Sequence, residues 1–516
     1  MRRIRVFFLI LVMAFLFFRP NVSYAQEKGF LSTFSEENHS WLVTDALEAS
    51  DGSFVICAYD NWGDDSMLLR LSPDGEILAK TIITAEDTTI YVRRCLLVSD
   101  EGCQGVVAIC PCHPNDGSTP TLLYIRADED LNILFKKTIP CCFFDSGSGF
   151  YETKFIRQDS LIYGTLTSSL SGAPNAIFLT QFDIDGNLLN CKRCERDSLN
   201  SVCNLFHAGE GRIGLFGNLD SSYMGFLTFD TSLQLIRRDT IFQWSQPEGN
   251  QADYCHYYIH DVINSHAAML PDGSHVVSAR LFETLHHVNG YPNNNVNDRS
   301  VILAKYENDF RWPETMLVTE HLNDSVEYPA FFRSVDVRET AEEECEVFQC
   351  SILNEHPQYG LLQPFPTGIV VAKTDQDLHV VWKRRFLGLR NYQAMTINAT
   401  CDGGCLVTGS VGDYQTQRFD IFALKINADG AVGIGEIQEE FMAAAYPNPG
   451  KDVLNISTAL QNAHVEVYDT NGRLVHRQGI TENATSIDAA NWPAGVYVWR
   501  VMANGKEAVS GKWVKE

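Results

Sequence analysis

Cys191-Lys192-Arg193-Cys194 has the spacing of a redox or metal-binding pair. Thiol–disulfide chemistry wants such a pair at a helix N-terminus, where a thiolate is stabilised. Here it follows a hairpin strand, so a structural disulfide is expected. Zinc would need a second pair of ligands, and only Cys203 and His207 lie near. Cys255, His256, His260 and Asp261 form another cluster, with His286 and His287 downstream. Two histidines four apart chelate a metal from one helical face. The flanking Tyr254, Tyr257, Tyr258 and Ile259 read instead as a strand, so structural or solvated histidines are expected. Asp183-Ile184-Asp185-Gly186-Asn187 opens like a calcium loop, but Leu188 and Cys194 stand where that loop needs glycine and an acid. A β-turn fits it better. Asp60, Asp64 and Asp65 are a weaker calcium candidate. No nucleophile elbow, His-Glu-x-x-His or phosphate loop occurs. No catalytic residue, metal ligand or cofactor is assigned.

The elements that would position such groups begin after residue 25. Met1-Arg2-Arg3-Ile4-Arg5 is a basic start, Val6–Phe18 an apolar run, and Ser23-Tyr24-Ala25 a small-x-small site. This is a secretory signal peptide (1–25) with cleavage between Ala25 and Gln26. The run is too short to span a bilayer, and no later segment is apolar enough to cross one. The 15 cysteines all lie from Cys57 to Cys405. In an exported chain close pairs read as disulfides. The candidates are Cys110/Cys112, Cys191/Cys194, Cys345/Cys350 and Cys401/Cys405, with vicinal Cys141 and Cys142 bonding to distant partners. The formal charge of −25 becomes −29 once the signal's four arginines and no acid are removed. That charge sets aside nucleic acid and electrostatic membrane binding.

Residues 26–435 carry a two-part phrase repeated about seven times: an acidic or Gly turn followed by a short apolar strand, then another apolar strand, a turn of the Asp-Gly type and a strand ending in a basic residue. The first copy runs Asp51-Gly52-Ser53-Phe54-Val55-Ile56-Cys57, then Met67-Leu68-Leu69-Arg70-Leu71 and Asp74-Gly75. The last runs Asp402-Gly403-Gly404-Cys405, then Phe422-Ala423-Leu424-Lys425-Ile426 and Asp429-Gly430. Short strands rich in Val, Ile, Leu and Phe, joined by turns that supply positive φ, predict hairpins. One such sheet cannot bury both faces alone, but a ring of them can. The expected fold is all-β, a seven-bladed β-propeller. The copies resemble the degenerate Asp-Gly repeats of secreted bacterial propellers, which implies a fold and not a substrate.

Residues 436–445 read as a linker. Beyond it come Pro447-Asn448-Pro449, Leu454-Asn455-Ile456, Val465-Glu466-Val467-Tyr468-Asp469 with Gly472, Ile487-Asp488, and Pro493-Ala494-Gly495-Val496-Tyr497 before a basic tail. Alternation through Val496–Val501 predicts a strand of a small Ig-like β-sandwich. This order of motifs resembles the type A C-terminal sorting domain of the type IX secretion system of Bacteroidota, over 446–516. The resemblance marks Pro447, Asn448, Pro449, Gly472, Gly495 and Tyr497 as its motif residues. It implies recognition by that machinery and passage through the periplasm to the outer-membrane surface or the medium.

For residues 26–435 the first expectation is a non-enzymatic module that binds protein or glycan. The insertions 246–266, 284–299 and 354–366 are its binding loops. The alternative is a hydrolase or lyase working in the channel. Ionisable side chains converging in a deep pocket there would favour the enzyme.

Overall fold

The computed structural model describes residues 29–515 except 64, 85–89, 93–95, 101–104, 115–118, 120, 142–148, 170–175, 195–200, 210, 220–223, 242–243, 249–252, 260–264, 288–299, 308–314, 319–326, 341–343, 354–360, 364–365, 388–389, 415, 433–442, 447–449, 459–462, 471, 481–483 and 504–505. The signal peptide and its cleavage site lie outside them.

Among the described residues there is no helix, and residues 30–426 form seven antiparallel sheets. The first is Trp41–Glu48, Phe54–Asp60, Ser66–Leu71 and Ile77–Ile83. The third runs from Gly149–Gln158 to Leu188–Arg193, and the fourth from Ser201–His207 to Leu235–Ile241. The second, fifth and sixth hold five, six and five strands. The seventh is not contiguous in sequence. Asn391–Ala399, Cys405–Asp413 and Arg418–Ile426 are completed by Phe30–Phe34, paired to Arg418–Ile426 as the outermost strand. The innermost strands touch in succession, and that of the seventh sheet touches Trp41–Glu48, so the contacts run full circle. This is the arrangement of a β-propeller. Each sheet is buried on both faces, which explains near-continuous apolar runs such as Gly368–Ala372.

Four sheets carry a buried cation on the strand next to the outermost one that braces its own sheet or the next. Arg70 pairs with Asp51 at 2.8 Å and donates to Glu129 O of the second sheet. Lys305 pairs with Asp272 at 3.5 Å and with Asp377 of the sixth sheet at 3.0 Å. Lys373 donates to Gly403 O at 2.9 Å, and fully buried Lys425 meets Asp402 at 2.6 Å. These cations are structural braces.

The outer turns interlock in a second way. Gly75, Gly186 and Gly430 have positive φ, and a Cβ there would strike the rings of Phe30, Tyr124 and Trp382 at 2.6, 2.7 and 3.0 Å. At the matching place in the second, fourth and sixth sheets stand Leu131, Leu233 and Leu378, also at positive φ (60, 60 and 63°). All three are buried, packed with Leu68, Leu179 and Leu303 of the preceding sheet. Where the neighbour offers a ring the turn has glycine. Where it offers Leu, the turn's own Leu fills the gap and bears the strain.

Ten described cysteines are thiols: Cys57, Cys112, Cys141, Cys191, Cys194, Cys203, Cys345, Cys350, Cys401 and Cys405. The expected bonds Cys191/Cys194, Cys345/Cys350, Cys401/Cys405 and Cys110/Cys112 are therefore not formed, nor is one to Cys141. Cys110 is disulfide-bonded, but not to any of these ten. Most of the thiols are buried in strands, where the core is built from apolar packing and needs no cross-link.

Residues 443–515 form two further sheets around one core that holds Leu454, Ile456, Val467, Tyr497, Trp499 and Trp513. Ala443–Tyr446, across the expected linker end, is a strand paired to Val453–Thr458. Tyr497, Trp499 and Val501 point inward, while Val496 and Val498 are exposed, as the alternation predicts.

Two outcomes follow from this packing. Leu233→Ala should cost about 2–5 kcal/mol in denaturant unfolding, because the lost buried volume outweighs any relief of φ. Asp51, Asp183, Asp272, Asp375 and Asp402 all have carboxyls held below the usual value. Burial works against each charge, but hydrogen bonds and nearby cations outweigh it. An unfolded aspartate titrates near about 3.9, so this stabilisation is whole above that pH and is lost as pH falls through the lower folded values. Melting temperature should hold from pH 7 to 5 and drop steadily below about pH 4; a flat profile down to pH 2.5 would contradict it.

Candidate functional site

The innermost strand of a sheet has one edge without a strand partner, so its N–H and C=O groups must bond elsewhere. All seven innermost strands are broken near the middle. Register shifts occur at Val43/Asp45, Phe150/Glu152, Val202/Asn204 and Ala394/Thr396. In the second, fifth and sixth sheets two short strands replace one. A break of this kind re-aims side chains and backbone.

The re-aimed groups bind the next sheet. Asn204 holds Ala267 on both sides, Nδ2 to O at 2.7 Å and N to Oδ1 at 3.0 Å. His266 Nδ1 meets Ser334 Oγ at 2.9 Å. Ala399 N donates to Asp336 Oδ2 at 2.8 Å, and Asn398 Nδ2 to Ala46 O at 2.9 Å. Arg333 pairs with Asp45 at 2.9 Å.

Inside this ring is a cavity of about 330 Å³, lined from the first, third, fourth, fifth and sixth sheets. Its ionisable groups are Asp45, Lys154, His207, His266, Arg333 and Asp336, and Phe155, Phe206 and Phe332 supply apolar wall. Lys154 Nζ lies 5.8 Å from the Phe332 ring centre. Desolvation raises the Asp336 carboxyl above its usual value, against the pull of Arg333 and two backbone amides; the Asp45 charge adds to the rise. Thr153 Oγ1, on the same wall, is buried without a hydrogen-bond partner. None of the six ionisable groups belongs to a short motif. They come from five sheets and span residues 45 to 336, so no local pattern joins them; of the six, the sequence singles out only His207, and as a neighbour of Cys203 rather than of this cavity.

The sequence candidates lie elsewhere. Cys191 is in a strand and Cys194 closes it, and burial pushes the Cys194 thiol up to about 12, opposite to redox activation. His256 lies in strand Asp253–Ile259, which rules out the helical pairing with His260; residues 260–261 lie outside the described residues. Asp183 caps its own turn, taking Asp185 N and Asn187 N at 3.0 and 2.7 Å. Asp60 takes Ser40 N and Trp62 N at 2.9 and 3.0 Å, and Asp64 lies outside the described residues. Among the described residues no three His, Cys, Asp or Glu side chains gather as metal ligands. Most of the three long insertions lies outside the described residues, as do Pro447, Asn448 and Pro449. Gly472 sits at φ 75° in the turn closed by Gly472 N to Asp469 O at 2.9 Å. Gly495 has φ 155° at the start of its strand. Tyr497 OH donates to Pro493 O at 2.7 Å, its ring against Trp492 and Trp513.

A β-propeller followed by a small two-sheet domain defines the class. Residues 444–516 match the family described as secretion system C-terminal sorting domain. The tail is a type IX sorting domain, and the protein is secreted or held at the cell surface. No helix of the described residues is long and apolar enough to cross a membrane. No curated protein matches the chain. Among solved structures, the Dos1 propeller is similar at 12% identity and TM-score 0.40, over 77% of this chain and 80% of that one. An α-L-arabinanase of Penicillium chrysogenum complexed with arabinobiose is similar at 6% and 0.39, over 78% and 99%. PorZ of Porphyromonas gingivalis, a surface component of the type IX system, is similar at 9% and 0.21, over 92% and 81%. Likenesses this distant decide nothing about substrate.

Asn204→Ala would leave both backbone groups of Ala267 without their partner. It should cost about 1–3 kcal/mol by chemical denaturation, and a loss under 0.3 kcal/mol would show the stitch to be dispensable.

Proposed function

We propose that residues 26–435 are a seven-bladed propeller delivered outside by an Ig-like sorting domain at 446–516, and that the propeller binds a protein or glycan without catalysis. The observation that supports this is the state of the cavity's charges. Asp45 and Arg333 neutralise each other, Asp336 caps Ala399 N, and His266 bonds Ser334. These groups are engaged in holding blades together. Around them Phe155, Phe206 and Phe332 wall a hollow suited to holding part of a ligand.

One observation favours the hydrolase. Asp336, with a carboxyl raised by burial, and Asp45 line the same cavity, and glycoside hydrolysis uses two carboxyl groups facing one cleft. A panel of soluble glycans separates the readings. The mature protein should shift in melting temperature with its ligand and release no new reducing ends. Release of reducing ends that Asp336→Asn abolishes, with melting intact, would replace the binding reading with the hydrolase.

A further inference from the structure

Acids outnumber Lys and Arg by 65 to 40 in the whole chain. Five of the seven outermost strands reverse this, and the other two, Phe30–Phe34 and Thr315–Val318, carry no charge. Ile77–Ile83, Ile133–Pro140, Leu188–Arg193, Leu235–Ile241 and Val380–Leu387 together hold ten cations and one acid, Asp239. Three consecutive blades carry them in pairs: Lys136 and Lys137, Lys192 and Arg193, Arg237 and Arg238. Lys136, Arg193, Arg237 and Arg238 are exposed, as are the aliphatic side chains Leu134, Leu189, Leu235 and Ile236 beside them.

The pairs form one surface. Lys137 Nζ reaches Asn187 Oδ1 of the next blade at 2.5 Å, and Lys192 Nζ reaches Gln234 Oε1 of the one after at 2.9 Å. The nearby acids are mostly engaged. Asp239 pairs with Arg237 at 2.7 Å, and Asp185 with Arg126 at 3.3 Å. Asp128, Asp183 and Asp230 each accept two amides of their own turn. Glu129 and Asp130 are left at one turn. The overall charge does not cancel such a belt, since exposed charges more than about 8 Å away are screened at physiological salt. Protecting an edge strand from pairing needs charge, but not one sign on every edge.

We propose that this belt across the second, third and fourth blades binds an acidic polysaccharide. A flexible polymer with repeated negative charge can follow a convex row of cation pairs, whereas a flat anionic membrane would meet one blade edge at a time. The site is separate from the channel cavity, so either can fail alone.

Affinity electrophoresis of residues 26–516 through gels containing polygalacturonate tests it. The protein should be retarded at low salt, less so at 300 mM NaCl, and hardly at all by neutral dextran. The combined variant Lys136→Glu, Arg193→Glu should bind at least tenfold more weakly with an unchanged melting temperature. Reversing Arg473 and Lys512 on the sorting domain should change nothing. No retardation of the parent, equal retardation of the variant, or binding to phosphatidylglycerol vesicles without binding to polygalacturonate would each overturn the proposal. So would a variant that aggregates yet still binds the polymer, because its cations then guard edges only.

Discussion

The innermost strands set the constraint on which the ring depends. Each has an edge facing the channel with no strand to pair, and buried backbone groups left unbonded cost about 1–3 kcal/mol apiece. The fold meets this by breaking every innermost strand and turning the freed groups toward the neighbouring sheet. The same bonds that satisfy the edge also hold adjacent blades together. Asn204 to Ala267, His266 to Ser334, Ala399 to Asp336 and Asn398 to Ala46 make successive joints of one ring. The channel is polar for this reason before any ligand is considered. Its histidines and carboxylates cannot be read as catalytic from their location alone.

At the periphery the joint is steric as well as polar. A propeller with one kind of turn would need the same neighbour at every interface. Here the turn residue and the facing side chain vary together: glycine under Phe30, Tyr124 and Trp382, leucine against Leu68, Leu179 and Leu303. Total volume at the interface is kept while its source alternates. An Asp heads all three leucine turns and the Gly186 turn, while Ser72 and Asn427 head the turns of Gly75 and Gly430. Where Asp stands at the head it bonds the turn's own amides, as Asp183 and Asp230 do.

This explains which parts of the fold were legible in the sequence. Asp-Gly turns beside aliphatic runs gave away the repeat, since both the turn and the burial leave local marks. Leu131, Leu233 and Leu378 were less visible as turns because the usual glycine is absent, and the reason for its absence lies in another sheet. Phe30–Phe34 was missed for a similar reason: its partner Arg418–Ile426 is almost 400 residues away. The Cys pairs misled, because proximity in sequence suggested bonds that strand geometry does not form. Cys110 and Cys112 lie two apart in one strand and Cys191 sits in a strand that ends before Cys194, and in both places the buried neighbours are apolar side chains.

The cations divide along the same line between structure and function. Arg70, Lys305, Lys373 and Lys425 recur in the repeat and would look like a binding stripe in an alignment of the copies, but each is nearly buried and paired with an acid or a carbonyl of its own or the adjoining blade. Folding accounts for them fully. The outer-strand cations recur on five of the seven sheets, and Lys136 and Arg193 among them are exposed at their charged ends. A charge that the packing does not use, repeated with one sign on a chain of opposite net charge, points outward to a partner. On the proposal made above, that asymmetry, more than any motif, marks the rim of the propeller as a binding surface in addition to the channel.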